Sequence, residues 1–313
     1  MLKTLKSVLA KAHRGNYAVG AFNVNNLEIL QAVIEAAIEM KSPVIVQTSE
    51  GAIEYAGMDY LKAMVDVAAK ARLPVVFHLD HGKDLKVVKK AIESGYTSVM
   101  YDASALPEKE NIANTKKVVA WARKRGVSVE AEIGAIAGIE DFVSVEEKDA
   151  HLTNPDGALA FVKATKCDAL AIAVGTLHGA FKFKSETILD FDRISAIKKK
   201  VDMPLVLHGA SGISPELVER TKTQCSILGD CARLDGAHGV SDKAIQEAIK
   251  RGINKINVDS DLRIAFTAAV RETIINDKKA IDPRKILGPA RKLMAEVVKH
   301  KMELFGSAGK AAA

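Results

Sequence analysis

The chain is poor in the features that mark several protein classes. Aromatic residues make up 5% of its 313 positions, and no basic tract is interleaved with them. The stacking platforms of a nucleic-acid-binding protein are therefore missing. No apolar run reaches the roughly 18 residues needed to span a bilayer. No apolar signal core follows residues 1–6, so the sequence reads as a cytoplasmic protein with no membrane or nucleic-acid partner. The three cysteines, Cys167, Cys225 and Cys231, form neither a C-x-x-C pair nor a disulfide framework, and in that compartment they are expected to be reduced and structural. The net charge of +6 is mild. Its lysines and arginines spread along helix faces such as 83–90 and 116–125, as a solvated surface requires; those aimed into a site would attract an anionic substrate.

What is present is an ordinary α/β composition, 48% hydrophobic and 27% charged. Apolar, β-branched runs of strand length lie at 19–25, 42–48, 74–81, 98–104, 128–134, 168–175, 204–211 and 253–261. Helix-period segments alternate with them at 27–40, 60–72, 85–93, 111–124, 156–164, 190–200, 242–250 and 262–276. Such alternation predicts a parallel sheet, and eight repeats predict its closure into a (β/α)8 TIM barrel forming one domain over 1–313. An opening helix is expected at 1–15, a C-terminal helix at 283–304, and a frayed tail at 306–313. A long acidic loop at 134–155 has the length of a mobile lid. An insertion at 220–239 carries Cys225 and Cys231 with no role legible.

The strands begin apolar and end polar, and barrel enzymes assemble their sites from the carboxyl ends of the strands. The run Val75-Val76-Phe77-His78-Leu79-Asp80-His81-Gly82 delivers a carboxylate beside an imidazole, and later strands end in His178-Gly179 and His208-Gly209. Three imidazoles at like positions suit a zinc ion acting as a Lewis acid. Asp80 precedes His81 directly, and neighbours on a strand point to opposite faces. Only a distorted strand end would bring both to the mouth, with Asp80 as a proton-transfer group or as an acceptor that orients a ligand. Asp102 and Glu132 would form a second metal position or support the first. Small residues at Gly209, Ala210, Ser211 and Gly212, and Asn257-Val258-Asp259-Ser260 leading into a helix, suit a phosphate, although tight packing also explains glycine-rich turns.

The sequence resembles the class II, zinc-dependent fructose-bisphosphate aldolases, in the group that includes tagatose-bisphosphate aldolases. The resemblance is carried in order along the chain. Its signatures are Ala21-Phe22-Asn23, Gln47-Thr48-Ser49, His78-Leu79-Asp80-His81-Gly82, Glu130-Ala131-Glu132-Ile133-Gly134, His178-Gly179, His208-Gly209-Ala210-Ser211-Gly212 and Asn257-Val258-Asp259-Ser260-Asp261-Leu262-Arg263. It implies a catalytic zinc on His81, His178 and His208, with Asp80 moving the proton. It further implies a second divalent ion near Asp102 and Glu132, a monovalent cation (Na+ or K+), and Glu140 on the closing loop. Asn23, Ser49, Gly179, Lys182, Gly209, Ala210, Ser211, Asn257, Val258, Asp259, Ser260 and Arg263 would bind the phosphorylated sugar. The implied reaction is reversible cleavage of fructose 1,6-bisphosphate, a glycolytic and gluconeogenic step, in a homodimer or homotetramer. The tagatose epimer is the alternative. A metal-dependent hydrolase and a non-catalytic barrel subunit are the more distant rivals, as is a Schiff-base aldolase using Lys255.

Overall fold

The computed structural model describes residues 1–134, 151–176, 188–227 and 239–311, with the backbone alone of 138–140, 143–145 and 228. In chain order the first half runs α1 (Leu5–Gly15), β1 (Val19–Asn23), α2 (Leu27–Glu39), β2 (Val44–Thr48), α3 (Glu50–Ala56), α4 (Met58–Ala68), β3 (Val75–Gly82), α5 (Leu85–Glu93), β4 (Ser98–Tyr101), α6 (Glu108–Arg123) and β5 (Ser128–Ile133). The second half runs β6 (Gly138–Glu140), β7 (Val143–Val145), α7 (Pro155–Thr165), β8 (Ala169–Ile172), α8 (Phe191–Val201), β9 (Leu205–Leu207), α9 (Pro215–Leu228), α10 (Asp242–Lys250), β10 (Ile253–Val258), α11 (Ser260–Asn276) and α12 (Pro283–Leu304). Eight parallel strands, in the order β1-β2-β3-β4-β5-β8-β9-β10, close on themselves, so the expected (β/α)8 barrel is what the chain forms. Parallel strands covered on both faces need unbroken apolar runs, which Val44-Ile45-Val46 and Val75-Val76-Phe77 supply.

The amino-terminal end of the barrel is sealed. Leu5, Val8, Leu9 and Ala12 lie on the buried side of α1 and form one cluster with the inward-facing Val19, Ala21, Ile45, Val76, Ala169, Ala171 and Val206. Among the described residues, this closes the amino-terminal end to a ligand and leaves the carboxyl ends of the strands as the approach to the polar interior.

Several boundaries depart from the sequence reading, each for a local reason. The first residues are extended, because Leu2 bridges Val75 and the terminal ammonium donates to the carbonyls of Ala71 and Leu73; the helix starts only where Thr4 caps it. The helix expected at 60–72 is α4, which ends at Ala68, and it is preceded by an unexpected helix α3; the two part at Gly57, whose φ of 82° a side chain would resist. The long loop carries the antiparallel hairpin β6–β7. Helix α9 runs into the expected insertion, whose residues 229–238 lie outside the described part. The tail is tied down: the hydroxyls of Ser307 and Ser42 bond at 2.8 Å, and the amides of Gly309 and Ala311 donate to the carbonyls of Met40 and Lys41. Cys167 is a free, buried thiol, whereas Cys225 is disulfide-bonded and so departs from the reduced state expected of it.

Candidate active site

The site begins with a distortion in β3. Pairing with β4 slips register between Leu79 and Gly82, and His81 takes a left-handed backbone with φ of 45°. An L-residue there is strained, and such strain gathers where function needs an unusual direction. The bulge turns His81 toward the mouth that Asp80 already faces, which resolves the problem of adjacent residues pointing apart. Gly82 follows because nothing larger fits: a Cβ there would stand 2.8 Å from the carbonyl oxygen of Met100.

Asp80 is buried and held by three amides from three strands. Oδ2 accepts from Asn23 Nδ2 at 2.9 Å and from Gln47 Nε2 at 3.1 Å, and Oδ1 accepts from Asn257 Nδ2 at 3.0 Å. The amides are themselves fixed, Gln47 Nε2 donating to Asn23 Oδ1 at 2.6 Å and Lys255 Nζ to Asn257 Oδ1 at 2.8 Å. One layer deeper, Lys255 pairs with Glu130 at 2.9 Å, both fully buried. Burial opposes ionisation of Glu130, but the Lys255 ammonium and the bond to His208 outweigh it and hold the carboxyl well below the usual range. This ion pair is poor geometry for a Schiff-base lysine, which must offer a free amine.

Around Asp80 stand the metal candidates. His81 Nδ1 lies 2.8 Å from Asp102 Oδ2, and Asp102 Oδ1 accepts from the amide and hydroxyl of Ser104. His208 sets Nδ1 3.0 Å from Glu132 and Nε2 3.0 Å from Glu130, and its ring meets that of His81 edge to face at 4.6 Å. Burial disfavours both imidazolium forms, yet the carboxylates prevail: Asp80 and Asp102 raise His81 well above its ordinary value, and Glu130 and Glu132 raise His208. For Asp102, the bond to His81 overcomes burial and lowers the carboxyl. Carboxylates that crowd imidazoles and favour their positive form suit a bound cation equally well. Donor atoms of Asp80, His81 and His208 fall within 4.8 Å of one another, as do those of His81, Asp102 and Glu132, so the residues fit a divalent ion. An ion on His208 would replace one of its carboxylate partners.

The other expected residues divide in two. Gly209, with φ of 63°, Ala210 and Ser211 follow β9, and Asn257, Val258, Asp259 and Ser260 lead from β10 into α11; these loops neighbour each other because β9 and β10 pair. The first turn of a helix aimed at the mouth favours an anion. Arg263 is half exposed and paired to Asp259 at 2.8 Å. Ser49 is buried, with its hydroxyl capping α3 by accepting from Ala52. His178, Gly179 and Lys182 lie outside the described residues, and Glu140 is described in its backbone only. Sequence reasoning assigned no site role to Gln47, Glu130 and His78, and weighed Lys255 only as a Schiff-base amine. The period of two was the available signal: Lys255 with Asn257, Glu130 with Glu132, and His78 with Asp80 share inward faces. His78 is buried against Ser98, and burial together with the Lys255 ammonium lowers it to about 3.

A closed barrel sealed at one end, with imidazoles and carboxylates converging at the other, defines a metal-dependent barrel enzyme. A family model described as fructose-bisphosphate aldolase class-II matches residues 3–310, and the chain belongs to that family of lyases. It is 51% identical over 311 residues to a fructose-bisphosphate aldolase of Thermus caldophilus, covering 99% of this chain and 100% of the relative. It is 49% identical to one of Helicobacter pylori over 312 residues, again covering 99% and 100%. Among solved structures, the YdjI aldolase of Escherichia coli K12 superposes with a TM-score of 0.80 at 34% identity, covering 100% of both chains.

Proposed function

We propose that the protein catalyses the reversible aldol cleavage of fructose 1,6-bisphosphate to dihydroxyacetone phosphate and glyceraldehyde 3-phosphate, a step of glycolysis and gluconeogenesis. The observation that carries this reading is the Asp80 carboxylate, gripped by Asn23, Gln47 and Asn257 beside His81 and His208. A carboxylate has about four lone-pair positions. Both on Oδ2 are occupied by amide donors and one on Oδ1 is occupied, so the remaining position on Oδ1 is where a proton is taken.

In the synthetic direction Asp80 Oδ1 removes a proton from the hydroxymethyl carbon of dihydroxyacetone phosphate; that carbon then attacks the aldehyde carbon, and the aldehyde oxygen takes up a proton to become the new hydroxyl, which restores the Asp80 carboxylate. In cleavage the reverse holds: Asp80 takes the hydroxyl proton as the carbon–carbon bond breaks, and the same oxygen delivers a proton to the carbon. Zinc held by His81 and His208, with His178 as the third ligand, would supply the Lewis acidity that makes the carbon acid. Asn257 keeps Asp80 aligned through both directions, and Lys255 keeps Asn257 aligned in turn. Gly209, Ala210, Ser211, Val258 and Ser260 would bind one phosphate together with Gly179 and Lys182, while Asp259 and Arg263 would meet the aldehyde half, Arg263 facing its distal phosphate. Asn23 and Ser49 would complete the sugar site. Glu140, on the loop 134–155, is the second catalytic group of this reading.

Relatives named for fructose bisphosphate favour that sugar over its tagatose epimer. A second divalent ion at Asp102 and Glu132, a monovalent cation by the phosphate loops and a homodimer or homotetramer complete the proposal. Phosphorylated sugars do not cross bilayers unaided, which supports a cytoplasmic site of action; among the described residues, no helix is long and apolar enough to cross a membrane.

The test is triose phosphate release from fructose 1,6-bisphosphate, measured before and after a strong chelator and again after zinc add-back. Activity that disappears and returns supports the reading. Cleavage that resists the chelator overturns the metal assignment, and no cleavage by zinc-loaded protein overturns the substrate.

A further inference from the structure

Helix α12 lies far from Asp80 in sequence, yet one of its side chains reaches the loops that end β9 and β10. Lys301 is 3% exposed. Its Nζ donates to the carbonyl oxygen of Gly212 at 2.8 Å and pairs with Asp261 Oδ1 at 3.0 Å. Gly212 closes the loop that starts at Gly209, and Asp261 lies in the first turn of α11, directly after Ser260. One ammonium therefore bridges the two loops that follow the seventh and eighth barrel strands.

The surroundings show that this contact is built in. A Cβ on Gly212 would stand 2.5 Å from the carbonyl oxygen of Val240 and 3.4 Å from Lys301 Nζ, so the loop sits directly on both. The Val240 amide donates to the carbonyl oxygen of Ser211 at 3.2 Å, pinning the same turn from the other side. One turn further on, at the C-cap of α12, the Phe305 carbonyl accepts from the amide of Ala18, which anchors this end of the helix beside β1. Asp261 Oδ2 is buried with no hydrogen-bond partner, so Lys301 carries most of the compensation for that charge. A buried ion pair contributes little net stability compared with apolar side chains of the same volume. Its distinctive effect is geometric: it fixes two backbones relative to each other.

We propose that Lys301 is a positioning residue for substrate phosphate, holding the loop of residues 209–212 in register with the amino-terminal turn of α11. The proposal rests on the reading of those loops as the phosphate site. Lys301 touches no reacting atom; it sets the spacing of the backbone amides that would receive the anion. Losing it should weaken phosphate-dependent binding while proton transfer at Asp80 proceeds.

The experiment compares zinc-loaded wild type, Lys301→Met, Lys301→Arg and Asp261→Asn by steady-state cleavage of fructose 1,6-bisphosphate, competitive inhibition by inorganic phosphate, zinc content and thermal midpoint. Displacement of a binding group by about 1 Å can cost up to roughly 100-fold. We expect KM and the phosphate inhibition constant to rise together by about tenfold or more in Lys301→Met, with zinc content intact and kcat changed far less. Lys301→Arg should recover part of the loss, and Asp261→Asn should move both constants in the same direction. If Lys301→Met does not fold, Asp261→Asn and Lys301→Arg decide the matter on the same two constants. Values within twofold of wild type, or a fall in midpoint and kcat with KM unmoved, overturn the proposal. Wild type that cleaves substrate but shows no competition by phosphate overturns the loop assignment itself.

Discussion

Glu130 and Lys255 form an ion pair of 2.9 Å in which neither side chain has any solvent exposure, directly beneath the amide that holds Asp80. Removing one partner leaves a buried charge without compensation, which costs about 3–5 kcal/mol, whereas removing both costs much less. Lys255→Met is therefore expected to lower the urea midpoint sharply, and Lys255→Met combined with Glu130→Gln should regain a large part of the loss. Equal destabilisation in single and double variants would show that the stranded Glu130 charge is not what weakens the single variant. Because Lys255 also orients Asn257, kcat should stay depressed in the double variant even where stability returns.

Asparagine matches Asp80 in shape but replaces one acceptor with a donor that faces an amide donor, so Asp80→Asn should fold with a lowered thermal midpoint and retain metal while losing the proton acceptor. A missing general base typically costs about 10²–10⁴ in rate. Triose phosphate release should fall by that range with zinc content unchanged, as measured by metal analysis on the assayed sample. A near-normal rate would remove Asp80 from the proton-transfer role.

The left-handed backbone of His81 makes a prediction about strain that is independent of metal. An L-residue in that region costs about 1–2 kcal/mol that glycine avoids, offset in part by the greater freedom of glycine in the unfolded chain. In chelator-treated protein, His81→Gly should unfold at a temperature equal to or above that of His81→Ala, the reverse of their order at an ordinary strand position. Both should lose activity.

Cys167 supplies a pH dependence. Burial raises its thiol from 9.0 to about 12, with a bond to Thr165 working weakly against the shift. Below pH 9 the thiol is protonated in both folded and unfolded chains, so its contribution is fully present there. As pH rises toward 12 only the unfolded chain ionises, and that contribution is lost. The urea midpoint should fall between pH 9 and pH 11 more steeply in wild type than in Cys167→Ala. Peptide mapping after iodoacetamide at pH 8 should find Cys167 unmodified in the native protein and modified in urea.

The barrel was legible in the sequence because burial on both faces demands apolar runs, and the alternation of strand and helix leaves few topologies. Strand ends were equally legible: His81, His208, Asp80, Asn23 and Asn257 could be chosen because polar chemistry at those ends has nowhere to point but the mouth. Local sequence could not show that a bulge turns His81 beside Asp80, since that twist arises from the register with β4. Nor could it show that Gln47, Asn23 and Asn257, from three strands, meet on one carboxylate, that Lys255 answers Glu130, or that Lys301 of the last helix reaches Gly212 and Asp261. Periodicity sets which face a side chain occupies, and that much the chain determined alone. Which side chains from distant segments touch depends on barrel closure and strand stagger, and only the tertiary structure decided that.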